Sequence, residues 1–428
     1  MLNQLIIYMV IAEVSSTIVV PPFSHTLGFY RASKFYIDLY LGDEFNLDNP
    51  QGISGAKMIE EDNPNTSSDD HILTLFAVNS GTGQILYNIG LTNLKVYGRK
   101  GSSEGEFYMP RGITANSRGD VYVADYGNNR IVRLKYQRRE LSYVSAVYDS
   151  FNGPSDVALD YSNNLYVVDS KNSRIVVYDS LGNRLYEWRK EFDLPTAIAI
   201  IDKDDPYNYW KEDFIVVIDQ NYKRILKLSR SGQLLAMTDA RAIGLLEAQF
   251  MYCAIDRYAN IYVTDMTNHE IHKFDRNLAY IISVGREGSG KVEFSEPRGI
   301  FIWKRFGQVF VTDNSGGAYY WLSTDGFIIG CFPNKLDSIR TQTTIALYLT
   351  DLSEVKINIT NEKDSLVRNL IIDHYLPPGE ALIAWDGRDN SGQFVPVGEY
   401  TINITLLPTY PAQKRYFKKE LSIKIKKT

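Results

Sequence analysis

Residues 105–136 read GEFYMPRGITANSRGDVYVADYGNNRIVRLKY. Two short apolar runs, 112–115 and 121–124, flank a turn signal at 116–120. The second run ends in Asp125. A Tyr-Gly-Asn-Asn turn follows, and a third run opens at Arg130 and Ile131. This spacing predicts three antiparallel strands in about 30 residues. A sheet that small leaves both faces wet, so it needs copies of itself alongside.

The copies are present. The first full repeat opens at Asn49, Pro50, Gln51, Gly52 and Ile53. The third opens at Gly153, the fourth at Leu194, the fifth near Phe250 and the sixth at Pro297. The second runs of the six repeats end in Asn79, Asp125, Asp169, Asp219, Asp265 and Asp313, which are 44 to 50 residues apart. That period is the one expected of four-stranded propeller blades. Arg130, Arg174 and Arg224 each follow their Asp by five residues. An Asp at a strand end accepts bonds from turn N–H groups, and the Arg reaches back across the hairpin, so these residues are expected to lock turns. Two repeats carry polar insertions, 60–70 and 202–212, expected as exposed loops. Residues 28–42 contain two strand-like runs, expected to add an outer strand that helps close the ring or to be the remnant of a seventh blade.

The run from Asp120 to Ile131, preceded by Pro110, Arg111, Gly112 and Ile113, resembles the NHL repeat. The resemblance implies a β-propeller over 28–332, and six units imply six blades. After a polar linker at 333–342, Trp385-Asp386-Gly387-Arg388-Asp389 and Val395-Pro396-Val397-Gly398-Glu399-Tyr400 are similar to the Ig-like domain of the FlgD type. That likeness implies an Ig-like β-sandwich over 343–428, with Trp385 as a core anchor. It also implies a secreted or cell-surface bacterial protein, since such domains often end secreted bacterial proteins. The fold class expected is all-β.

Composition sets bounds. Of 428 residues, 44% are hydrophobic and 23% charged, and 30 are Tyr, which suits a β-rich chain with a large core. A net charge of −5 argues against nucleic acid as partner. The 2 cysteines, Cys253 and Cys331, sit in apolar runs and read as buried free thiols. Residues 5–12 are apolar but too few to span a membrane. Residues 1–27 read either as an export signal and leader or as a first buried strand.

A propeller's ligand site is expected on its axis, where the loops entering the innermost strands converge. The residues placed there are Gln51, Arg111, Asp156, Tyr252 and Arg298. Arg111 and Arg298 suit a carboxylate or other anion, or else they pair with Asp156 and neighbouring loops. Related propellers include metal-dependent lactonases, amidating lyases and antibiotic-ring lyases, which need axial His or carboxylate groups. None of the 5 His starts an inner strand, so neither a metal nor a cofactor is expected. The expected role is non-catalytic binding of a protein, peptide or glycan at one face or the axial mouth, by a monomer or a member of a surface assembly. Beside it stand a lyase or hydrolase acting on an anionic substrate and a purely structural scaffold.

Overall fold

A computed structural model describes residues 16–22, 31–67, 72–189, 192–339 and 341–428, apart from the side chain of Asp373. Of the reading of 1–27 as a leader or a first buried strand, 1–15 and 23–27 lie outside these residues, and within 16–22 Ile18–Val19 forms a short buried strand. The chain forms two compact units, Val20–Tyr320, and Met1–Val19 with Trp321–Thr428.

The first unit holds six antiparallel sheets among the described residues. The quoted stretch forms Ile113–Ala115, Asp120–Asp125 and Arg130–Gln137, and Glu140–Val147 completes the second sheet. The first sheet is Pro50–Ala56, Thr74–Asn79, Gln84–Ile89 and Asn93–Tyr97. The third begins with Pro154–Leu159, the fourth with Ala197–Ile201, the fifth with Phe250–Ile255 and the sixth with Ile300–Trp303. Consecutive strands pair in order, as in a propeller blade.

Each sheet hides its faces against its neighbours. Val168, Ile175 and Val177 of the third pack with Ile198, Val217 and Leu226 of the fourth. Bonds tie successive sheets near the axis. Gly52 N–H donates to Arg111 O (3.1 Å), Gly112 N–H to Ser155 O (3.0 Å) and Ile198 N–H to the Asp156 carboxylate (2.9 Å). The sixth sheet returns to the first through Thr312 Oγ1, which donates to Gln51 O at 2.5 Å. Gly112 permits this proximity, because a Cβ there would lie 2.5 Å from Asp156 Cα.

The expected turn locks form. Arg130 Nε lies 2.8 Å from Asp125 and Arg174 Nε 2.6 Å from Asp169, and Arg224 pairs with Asp219. Where the Arg is missing, other groups substitute. His272 bonds Asp265 (3.0 Å) from within Glu270–Phe274, where it is fully buried in the strand. Asn79 bonds Asn46 O and accepts from Asp48 N–H.

Two expectations about the ends of the array change. Residues 31–42 hold one short strand, Arg31–Ser33, and a helix, Lys34–Leu41. The Lys34–Asp38 ion pair (2.7 Å) supports the helix at i,i+4 spacing. Arg31–Ser33 pairs with 316–318 as an outer strand of the sixth sheet. Gly316, at φ 135°, allows this approach, since a Cβ would stand 2.0 Å from Ala32 O. Residues 326–332, read as the end of the sixth repeat, instead pair with Thr343–Leu349.

In the second unit, Gly326–Phe332, Thr343–Leu349 and Gly379–Trp385 form one sheet. Lys335–Leu336, Lys419–Lys427, Gly398–Pro408, Ser353–Asn361 and Leu366–Leu376 form the other. Lys335–Leu336 thus gives the expected linker a strand, parallel to the last one. Ile345 and Leu347 of one sheet meet Ile357, Ile402 and Ile404 of the other in a sandwich core that includes Trp385. The Trp385 indole N–H donates to Arg388 O (3.0 Å), so the turn after the strand satisfies its polar edge. Cys253 and Cys331 are both buried free thiols.

Candidate functional site: two mouths of the propeller axis

The inner strands run from an entry mouth, formed by their first residues, to an exit mouth, formed by the loops that follow them. Of the five residues selected from sequence, Gln51, Arg111 and Arg298 lie at the entry end, whereas Asp156 and Tyr252 also line the axial cavity; the structure joins three of the five. The Tyr252 hydroxyl donates to Gln51 Oε1 (3.4 Å), and Gln51 Nε2 donates to Asn49 Oδ1 (2.9 Å). The same Asn49 oxygen accepts from Arg298, whose other arm bonds Glu296 at 3.0 Å. Arg111 belongs to a separate pair. Its guanidinium lies 3.8 Å from the centre of the Tyr126 ring and donates to the Tyr222 hydroxyl at 3.2 Å.

Asp156 bonds neither arginine. Its carboxylate accepts from Val157 N–H and Ile198 N–H, both at 2.9 Å, which clasps the third sheet to the fourth. Burial pushes this carboxyl up to about 7 against the opposing pull of those two N–H groups. Burial, and then the nearby Asp156 charge, hold the Tyr252 phenol well above its usual range.

Tyr222 is a residue the sequence did not single out. The fourth sheet's turn carries three successive non-glycine residues at positive φ: Gln220 (53°), Asn221 (49°) and Tyr222 (75°). The corresponding turns of the second and third sheets each have one, Asn129 and Ser173. Such geometry costs roughly 1–3 kcal/mol per residue and persists where packing imposes it. Here it carries Tyr222 to Arg111 on the second sheet.

The exit mouth opens a larger space. A cavity of about 660 Å³ is walled by all six inner strands, with Ile53, Ile113, Val157, Ile198, Ala254 and Ile302 among its lining. Its rim comes from the loops after those strands and includes Ile59, Arg118, Tyr161, Tyr207, Trp303 and Lys304. Both sequence insertions belong to these loops. The first-sheet insertion is fixed to the second sheet by Ile59 N–H to Ser117 O (2.9 Å) and Tyr136 OH to Glu61 (2.9 Å). In the fourth-sheet insertion, buried Asn208 closes the base by donating to Asp202 O (2.8 Å) and Glu212 O (2.7 Å). The loop then reaches two further sheets. Tyr209 N–H donates to Arg257 O of the fifth (2.8 Å), and Asp205 pairs with Lys304 of the sixth (2.9 Å).

Acids on this rim are already bonded. Asp160 accepts from Asn164 N–H, Asn164 Nδ2 and Arg230, with the guanidinium at 2.5 Å. Asp202 accepts from Asp204 N–H (2.9 Å) and stands 3.7 Å from the same Arg230. Among the described residues, no group of three or more His, Cys, Asp and Glu is placed to hold a metal ion. No described helix is long and apolar enough to cross a membrane. The sequence signal for this mouth was the position of the two insertions. Both follow the first strand of their repeat, which places them on the same face.

Two family models support the architecture. The NHL repeat family matches residues 107–134 and 151–178, and the FlgD Ig-like domain family matches 334–407. The chain is 29% identical over 114 residues to the Caenorhabditis elegans protein named probable peptidyl-alpha-hydroxyglycine alpha-amidating lyase pgal-1, covering 23% of this chain and 33% of that protein. It is 32% identical over 121 residues to the human E3 ubiquitin-protein ligase TRIM32, covering 25% and 18%. It thus spans a third or less of the length of either relative. A gluconolactonase structure from Xanthomonas campestris aligns over 73% of this chain and 99% of that one, at 11% identity and a TM-score of 0.47. The chain is an NHL-repeat β-propeller protein that also carries a FlgD Ig-like domain.

Proposed function

We propose that this is a non-catalytic binding protein of the bacterial surface or exterior, that its ligand enters the propeller axis through the exit mouth, and that the Ig-like domain serves docking or sorting. The observation that carries this reading is the 660 Å³ cavity, within the usual range for ligand sites, framed by two anchored insertions. Asp160 and Asp202 are saturated, which supports binding over catalysis at the rim. A general acid or base must exchange a proton with its substrate, whereas Asp160 and Asp202 are held by Arg230 and by turn N–H groups.

Blocking the cavity tests the reading. Ala199 and Ala254 both line it, so Ala199→Trp and Ala254→Trp, each checked for an unchanged melting profile, are expected to abolish ligand binding. Full binding by either folded variant would exclude the exit cavity.

A second reading is favoured by the entry cluster. Arg111 with Tyr222, and Tyr252 with Gln51, are polar groups grouped at the axis, and the matched nematode protein is named as a lyase. A lyase or hydrolase acting on an anionic substrate there would lose turnover in Arg111→Ala and keep it in Ala199→Trp.

A further inference from the structure

We infer that the exit cavity takes a neutral oligosaccharide, with Tyr161, Tyr207 and Trp303 as stacking platforms; this rests on the exit cavity being the binding site. Three features select that chemistry. First, the acids are already bonded. Asp160 and Asp202 face Arg230, and Asp205 accepts from Lys304 at 2.9 Å and from Tyr207 N–H at 2.9 Å. A cationic ligand would have to break these bonds to reach the acids, whereas a neutral hydroxylated one need not.

Second, aromatic rings and small polar groups line the same space. Tyr161 is 56% exposed, while Tyr207 and Trp303 are half-buried. Both of the latter have neighbours, Tyr207 with the Arg305 guanidinium 5.8 Å from its ring centre and Trp303 with Phe306 edge-on at 4.9 Å. The same lining includes Ser54, Thr114, Asn116 and Ser117 of the first two sheets and Asn163 of the third. A pyranose presents an apolar C–H face and equatorial hydroxyls, so a cavity that offers both rings and hydroxyl or amide groups matches it.

Third, the walls disfavour a peptide. A peptide that binds by strand addition needs one long free strand edge. Here the first strand of the second sheet is only 3 residues long, and inner strands bond their neighbours through Gly52 and Gly112.

The test is calorimetric titration of the full chain with neutral oligosaccharides of glucose, galactose, mannose and N-acetylglucosamine, with oligogalacturonate, and with alanine- and glycine-rich hexapeptides. At least one neutral sugar is expected to bind. Trp303→Ala and Tyr207→Ala, with unchanged melting, are expected to weaken it about three- to tenfold each, and Ala199→Trp to abolish it. Binding of peptide or oligogalacturonate in place of neutral sugar, lost in Ala199→Trp, overturns the sugar assignment but keeps the cavity as the site. Sugar binding that survives in folded Ala199→Trp overturns both. No heat with any neutral sugar at millimolar concentration overturns the assignment.

Discussion

Arg31 donates to Asp313 Oδ2 at 2.7 Å, linking the first strand of the propeller unit to the last repeat's turn, 282 residues away. In the second, third and fourth sheets an Arg five residues after the Asp makes this bond. In the sixth, that position is Ala318, and the guanidinium comes from the opposite end of the array. One residue therefore satisfies a turn and fastens the ring.

Arg31→Ala should destabilise the propeller by roughly 3 kcal/mol, the usual cost of stranding one member of a buried pair. Asp313 is fully buried and Arg31 nearly so. Urea titration followed by near-ultraviolet dichroism measures this, and a loss below about 1 kcal/mol would exclude the fastening role.

Among the local locks, burial ranks the cost. The Arg174 side chain is 5% exposed and that of Arg224 24%. Arg174→Ala should therefore lower the melting temperature more than Arg224→Ala. Asp169→Ala should cost at least as much as Arg174→Ala, because Asn152 N–H and Asn172 Nδ2 also lose their acceptor. Equal melting of all three variants and the wild type would refute the ranking.

Gly112→Ala should destabilise by about 1–3 kcal/mol through overpacking alone. The added Cβ has no free space, because it meets the Asp156 backbone of the next sheet. Gly182→Ala, at an open surface turn with φ 90°, meets no atom within 4 Å and should cost about 1 kcal/mol of backbone strain. Thermal unfolding of the pair separates close sheet packing from strain.

Asp156 gives a pH signature. Its carboxyl is raised by burial to about 7 in the fold, against about 3.9 in an unfolded chain. A raised pKa means the folded state holds its proton more tightly. The contribution is therefore complete below about pH 4 and is lost as pH rises through 7. Asp156→Asn cannot titrate, so its stability deficit relative to wild type should shrink between pH 5 and pH 8. A deficit independent of pH would overturn this account.

Arg111→Ala with Arg298→Ala should reduce stability only modestly, since the first is held by Tyr126 and Tyr222 and the second by Asn49 and Glu296. Citrate binding at the entry mouth, measured by titration, should vanish in the double variant if that cluster receives anions. Retained binding would remove the anion site from the entry end.

The propeller was legible because its instructions are local. An apolar run, a turn, an Asp and an Arg five residues on specify one hairpin, and repetition at 44 to 50 residues specifies neighbours. The sandwich was legible for the same reason, through the spacing of Trp385, Gly387, Pro396 and Tyr400. Residues 34–41 misled, because aromatic residues that favour strands here form a helix beside a strand only 3 residues long.

Sequence alone determined the repeat, its hairpin turns and the alternation of its strands. Only the tertiary structure decided the partners across the ring: Arg31 with Asp313, Tyr252 with Gln51, and the fourth-sheet insertion with Lys304. These contacts join residues far apart in the chain. No local spacing encodes them, because their geometry exists only once neighbouring sheets have packed together.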